Sequence, residues 1–346
     1  MKKRWILLGC MLLLTVGGCG SSQADALYNS GIEALNEGDY EGAAETFDQL
    51  TRMGKRLPEA YRGEGIAWLR QEAYPEAIAA FSRSLNYMDF SNGEFERDVT
   101  CYLAAARLAY GETEKAIDLY SGLLKKKADP QYYYLRGKAY LIQGDLEKAQ
   151  KDFERALKDS TDYNSYITVY QLYVDQGQGQ QGQEWLEMAL QLTPETGEDY
   201  YQQGRIFVLQ EEYEEAADAL VEAVNLEDTD AMLLLGSVYL NMGDSASARS
   251  MYQNYLTSGE YPGRGYNGLA LCDIYEGSYD SALQNIQSGL DAGEDEEARR
   301  SLLYNEIVVY EHQEDFATAK SKMAEYLAEY PGDQDAVREN QFLSTR

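Results

Sequence analysis

Residues 132–158 read YYYLRGKAYLIQGDLEKAQKDFERALK, and this stretch decides the fold class. Tyr133, Gly137, Tyr140 and Leu141 recur at three- and four-residue spacing, the period of a helix with one apolar face. Gly144-Asp145 then interrupts the pattern. Glycine ends a helix at little steric cost because it tolerates a left-handed backbone, and aspartate caps the helix that follows. Ala149, Phe153 and Leu157 mark that second helix. The stretch is a helical hairpin.

Outward from it, the same hairpin recurs over residues 26–331. Its small second-helix residue is Ala43, Ala77, Ala116, Ala149, Gly182, Ala216, Ala248, Ala282 and Ala319, at separations of 34, 39, 33, 33, 34, 32, 34 and 37 residues. Similar breaks stand at Gly38-Asp39, Gly243-Asp244 and Gly277-Ser278. Pro75, one residue after Tyr74, fits the start of a second helix, where its missing N–H costs nothing.

These positions resemble the tetratricopeptide repeat. The small first-helix residue of that family is matched by Gly31, Gly65, Ala104, Gly137, Gly204, Gly236 and Ala270. Its bulky second-helix residue is matched by Phe47, Phe81, Tyr120, Phe153, Leu186, Leu220, Tyr252, Ile286 and Met323. The resemblance implies an all-α, right-handed superhelical solenoid of about nine helix-turn-helix repeats over residues 26–331, with residues 332–346 as a capping helix or tail. Tyr170 and Ile307 replace the small first-helix residue, so repeats five and nine are expected to pack differently. The run Gly177-Gln178-Gly179-Gln180-Gln181-Gly182 makes the second helix of repeat five the weakest point. Flexing is expected at residues 88–94 and 291–297, the two longer connections.

Lys2, Lys3 and Arg4 precede an apolar run over residues 5–16, the pattern of a secretory signal. The run falls short of the roughly 20 residues that span a bilayer, although an uncleaved anchor is the alternative. Val16-Gly17-Gly18-Cys19 resembles the lipobox of bacterial lipoproteins. That resemblance implies loss of residues 1–18, lipid attachment at Cys19, and an extracytoplasmic protein held to the bilayer. Residues 19–25 then form a flexible tether reaching about 10–20 Å. Cys10 leaves with the signal, and Cys101 and Cys272 read as separate buried thiols.

Charge narrows the partners. The chain has 30 Lys plus Arg against 59 Asp plus Glu, a net charge of −29, and loss of the signal makes it more negative. A nucleic-acid binder needs a basic surface to neutralise phosphates, so that class is disfavoured, as is adsorption to anionic head groups. The chemical inventory is sparse: one histidine, His312, read as solvent-facing near a helix end, and the pairs Glu211-Glu212 and Glu214-Glu215, read as a solvated face. Gly263-Arg264-Gly265 lacks the lysine and hydroxyl of a phosphate loop. No enzyme activity, cofactor or metal is expected.

The family resemblance also implies a concave groove lined by first helices. Its candidate residues are Tyr28, Ile32, Arg62, Ile66, Leu69, Tyr134, Lys138, Leu141, Tyr201, Arg205 and Val208. An apolar stripe of Leu35, Leu69, Leu108, Leu141, Val174, Val208, Leu240 and Ile274 serves either helix packing or partner binding. Arg62, Lys138 and Arg205 beside it, in an acidic protein, predict an extended or helical partner segment with apolar anchors and a few carboxylates. The expected function is a membrane-anchored scaffold or adaptor for cell-envelope proteins. The alternative is a carbohydrate- or solute-capturing lipoprotein, since tyrosines stack on sugar rings.

Overall fold

The computed structural model describes residues 23–88, 93–293 and 295–346. The signal segment, Cys19 and most of the first long connection lie outside the described residues. Within them are nineteen helices and no strand.

The chain divides into two compact units between Trp185 and Leu186. The first holds the pairs α1 (Gln23–Glu37) and α2 (Tyr40–Arg52), α3 (Leu57–Arg70) and α4 (Tyr74–Tyr87), α5 (Gly93–Ala109) and α6 (Thr113–Lys126), and α7 (Pro130–Gln143) and α8 (Leu146–Leu157). It ends with α9 (Tyr163–Asp175) and the start of α10 (Gly179–Leu190). The second continues with α11 (Gly197–Leu209) and α12 (Tyr213–Asn225), α13 (Asp230–Asn241) and α14 (Ser245–Ser258), α15 (Pro262–Tyr275) and α16 (Tyr279–Ala292), and α17 (Glu296–His312) and α18 (Phe316–Glu329). It closes on α19 (Gln334–Leu343). The division falls inside α10, the helix whose glycines mark it as the weakest of the array. Within each unit, first helices also touch the first helix of a neighbouring pair, as α1 touches α3 and α13 touches α15.

Each pair turns through one left-handed residue: Gly38, Glu72, Gly111, Gly144, Gly177, Glu211, Gly243, Gly277 and Glu314. Gly144 shows the geometry, donating its N–H to the Leu141 carbonyl at 3.0 Å while Asp145 donates to Tyr140 at 2.9 Å, which satisfies two orphaned carbonyls. Three of the nine are glutamates, at φ 61, 61 and 59 degrees, a conformation costing a side-chain-bearing residue about 1–2 kcal/mol. The following aspartates cap as the sequence implies: Asp39, Asp145, Asp244 and Asp315 accept from the N–H three residues on. Ser278 departs from that reading, since its side chain makes no cap hydrogen bond.

The core is a row of bulky second-helix side chains wedged against small first-helix residues. Phe47 is sealed between Gly31 of its own pair and Gly63 of the next, where an added Cβ would stand 2.8 Å and 2.4 Å from the ring. Tyr252 sits between Gly236 and Gly268 in the same way. Gly65 and Phe81, Gly137 and Phe153, and Gly204 and Leu220 repeat the contact within single pairs. Repeat five inverts it: Tyr170 is buried on the first helix, and Gly182 on the second makes the room, with an added Cβ only 2.8 Å from Tyr173 and 3.1 Å from Tyr170. In repeat nine Ile307 simply joins the cluster around Ala319 and Met323.

Both ends depart from or sharpen the sequence reading. Helix α1 starts at Gln23, so residues 23–25, assigned above to the tether, are helical, and Asp25 accepts a hydrogen bond from Arg56 at 3.0 Å. At the other end α19 packs on α18 and buries Ala336 and Leu343. Asp333 fixes it, accepting from the N–H groups of Asp335 and Ala336, from Tyr326 at 2.7 Å and from Arg300 at 2.6 Å. Burial opposes the Asp333 charge, but those hydrogen bonds prevail and hold its carboxyl down at about 2.

Candidate partner-binding surface

Most of the predicted groove residues pack against neighbouring helices. Ile32 and Leu141 are buried, at 7% and 3% exposure. Tyr28 meets Phe47 edge-on at 6.0 Å and lies under the Arg56 guanidinium at 4.0 Å. Ile66 and Leu69 are half-buried against the cluster of Ala77, Phe81 and Val99. Tyr134 packs against the cluster around Tyr120 and lies 5.7 Å from Phe153. In the second unit, Tyr201 and Val208 pack against Ala216 and Leu220. Burial pushes the hydroxyls of Tyr134 and Tyr201 above the usual tyrosine range. The apolar stripe is therefore largely helix packing, with Leu108 buried as well and Val174 the exposed exception.

The predicted cations are also engaged. Arg62 on α3 is ion-paired with Asp98 on α5, its side chain only 13% exposed, and its guanidinium lies 5.3 Å from the Tyr102 ring. It staples one repeat to the next and is not a free groove cation. Arg205 donates to Gln202 at 2.6 Å and lies 6.0 Å from the Tyr201 ring, while Lys138 is half-buried on α7. The same stapling between repeats recurs at Arg56–Asp25, Arg249–Asp273 and Arg264–Asp295, whereas Lys126–Glu96 and Arg299–Glu329 tie together the two helices of one pair. Of the three cations, Arg62 is thus spent on a contact between repeats, and Arg205 is bonded within its own helix.

A recurring set of side chains left in solvent lies elsewhere, in the last turn of the first helices or just past it. In the first unit these are Tyr110, Ile142 and Val174, and in the second Leu209, Met242 and Tyr275; the other exposed large apolar side chains, Met53, Tyr87, Leu226, Tyr261 and Phe342, stand at other places. Val174 belongs to the stripe traced three residues before each turn, but sequence periodicity passed over the other five, which stand one or two residues before it. Counting back from the left-handed residue is the signal that finds them.

Other candidate groups are as follows. His312 is exposed at the end of α17 and stacks on Tyr279 at 5.7 Å. Glu211, Glu212, Glu214 and Glu215 are exposed. Cys101 and Cys272 form no disulfide; Cys272 is buried as expected, Cys101 only half-buried, and burial pushes the Cys272 thiol up to about 11. Among the described residues no group of three His, Cys, Asp or Glu is placed to hold a metal ion, and no helix is long and apolar enough to cross a membrane.

Comparison with known proteins adds the following. Three tetratricopeptide repeat family models match the chain, over residues 28–93, 130–163 and 230–258. No protein of curated function matches it in sequence. Among solved structures, a tetratricopeptide repeat protein from Parabacteroides merdae is 13% identical, with 73% of this chain and 99% of that one covered and a TM-score of 0.42. PilF of Pseudomonas aeruginosa is 22% identical, with 63% and 97% covered and a TM-score of 0.39. YrrB, described as a tetratricopeptide repeat protein with an unusual peptide-binding site, is 21% identical, with 52% and 94% covered and a TM-score of 0.36. The chain thus carries tetratricopeptide repeats, one of them coinciding with α13 and α14, and repeats of this kind bind peptide or protein partners.

Proposed function

We propose that the protein is an interaction scaffold, held to the outer face of a bacterial membrane by a lipid on Cys19, that binds protein partners of the cell envelope. The observation that carries the reading is that its repeated helix pairs leave half-exposed aromatic and aliphatic side chains on several first helices. Tyr28, Ile66, Leu69 and Tyr134 are such residues in the first unit, and Tyr201 and Val208 in the second. Side chains of this type form the anchors of protein interfaces, because they bury much area for little rotamer entropy. The anchor rests on Val16-Gly17-Gly18-Cys19 and the basic, then apolar, segment before it.

Two measurements test the reading. Cys19→Ala should leave the membrane fraction or accumulate as an unprocessed precursor, and processing and retention like the parent would dispose of the anchor. Mature protein immobilised against detergent-solubilised envelope should retain specific proteins, identified by mass spectrometry. Retention of glycans on an array, with no protein retained, would replace the scaffold by a carbohydrate-capturing lipoprotein.

A further inference from the structure

The second unit carries an apolar row that its own packing does not cover. Leu209, Met242 and Tyr275 are 38%, 41% and 60% exposed. They lie at the ends of α11, α13 and α15, first helices that touch one another in that order. The row crosses repeat boundaries: the Tyr275 hydroxyl lies 3.3 Å from where a Cβ on Gly243 would stand, so the ring reaches over the turn that follows Met242. Single exposed apolar residues are ordinary, but one at the same end of the first helix in three repeats running makes a row to dock on.

Charge selects the occupant. Residues 186–248, within the same unit, contain fourteen Asp plus Glu and one cation, Arg205. The chain beside the row follows suit, with Glu211 and Glu212 after Leu209, Asp244 after Met242 and Glu276 after Tyr275. Asp244 caps α14, and Glu276 is paired with Arg249 at 2.8 Å. Glu211 and Glu212 are exposed, and Glu212 makes no cap hydrogen bond although it stands at the N-cap of α12. A field of this sign attracts cations and repels a carboxylate-bearing segment. Spacing selects the form, because packed helices lie about 10 Å apart. A polyproline II segment presents same-side anchors about 9 Å apart every three residues, and an α-helix about 10 Å apart every seven.

Resting on the scaffold reading, we propose that Leu209, Met242 and Tyr275 dock a lysine- or arginine-rich segment of a partner protein, through apolar side chains spaced about 10 Å apart. The apolar anchors supply residence time and the acidic surround supplies association rate.

The test uses the full mature chain and three labelled nine-residue peptides followed by fluorescence anisotropy. The first has leucine at every third position and lysine between, the second exchanges lysine for glutamate, and the third exchanges leucine for serine. The parent should bind the leucine–lysine peptide at least tenfold more tightly than either other peptide. Leu209→Ser, Met242→Ser and Tyr275→Ser together should remove at least tenfold of that affinity, with part of the loss in each single variant. The single variants keep the reading testable if the triple variant folds poorly. Equal binding by the triple variant overturns the row while leaving a peptide-binding scaffold in place. Equal binding of the serine–lysine peptide reduces the effect to bulk charge and also overturns it. Preference for the glutamate peptide returns the site to the groove. Failure of every peptide, with envelope proteins still retained in the pull-down, refutes the row alone; loss of both refutes the scaffold as well.

Discussion

The same substitution, glycine to alanine within a helix, should have opposite signs at two places in this protein. At Gly268 an added Cβ would stand 2.2 Å from Cδ1 of Tyr252, against the 3.5–4.0 Å of an ordinary carbon contact. The ring cannot retreat, because on its other side Gly236 is already so close that a Cβ there would lie 2.6 Å from Cζ. Overpacking of this kind costs about 1–3 kcal/mol, and the helix propensity gained from alanine returns about 1 kcal/mol. Gly268→Ala is therefore destabilising by up to about 2 kcal/mol. At Gly122, within α6, a Cβ meets nothing within 4 Å, so Gly122→Ala keeps the propensity gain alone and stabilises by about 1 kcal/mol. Urea titration gives the sign and size of each change, and hydrogen exchange in α13 to α16 localises the first. Tyr252→Ala closes the argument. It costs about 3–5 kcal/mol alone, and in its background Gly268→Ala should turn neutral or stabilising. A destabilising Gly268→Ala in that background would falsify the wedge.

The other structural expectations follow from buried charge. Arg136→Met removes a two-pronged contact of 2.7 Å and 2.9 Å to Asp152, whose side chain is 3% exposed, and a third bond to Ser121 on the preceding repeat at 3.0 Å. Leaving that buried carboxylate with only the Arg155 guanidinium, 3.8 Å away, should cost up to about 3–5 kcal/mol in denaturant titration, whereas Arg136→Met with Asp152→Leu should recover most of it; a single variant as stable as the parent contradicts the staple. Glu311 has one carboxylate oxygen buried without a hydrogen-bond partner. Burial, and then the charge of Glu339, push its carboxyl above the usual glutamate value of 4.5. A raised folded-state value means that ionisation opposes folding, so Glu311→Gln should raise the melting temperature at pH 7, with the gain fading as pH falls through the folded-state value towards 4.5. A gain that persists unchanged at pH 4 would assign it to something other than the charge.

Sequence alone determined the repeat, because a 34-residue period is written in residues whose size matters locally. Ala43, Ala77 and their successors had to be small, Phe47 and Phe153 had to be large, and Gly-Asp turns announce themselves. The nine hairpins and the closing helix could be placed from those marks. Left-handed Glu72, Glu211 and Glu314 were not legible, since glutamate is not a turn former and its conformation is imposed by the helices on either side. Neither was the exchange in repeat five, where Tyr170 and Gly182 trade places, because complementarity belongs to the contact and not to either residue.

The site shows the same division more sharply. Sequence could say that Arg62 lies on a first helix, but whether it faces a partner or Asp98, 36 residues on, depends on how two helices rotate against each other. That rotation is set by packing across the repeat boundary, through wedges such as Phe47 between Gly31 and Gly63. It put Leu141 and Ile32, candidates for the groove, inside and left Leu209, Met242 and Tyr275 in solvent. Composition fixes how acidic the protein is, and only tertiary packing decides which apolar side chains remain to meet a partner, because exposure is a property of the assembled surface and not of the residue.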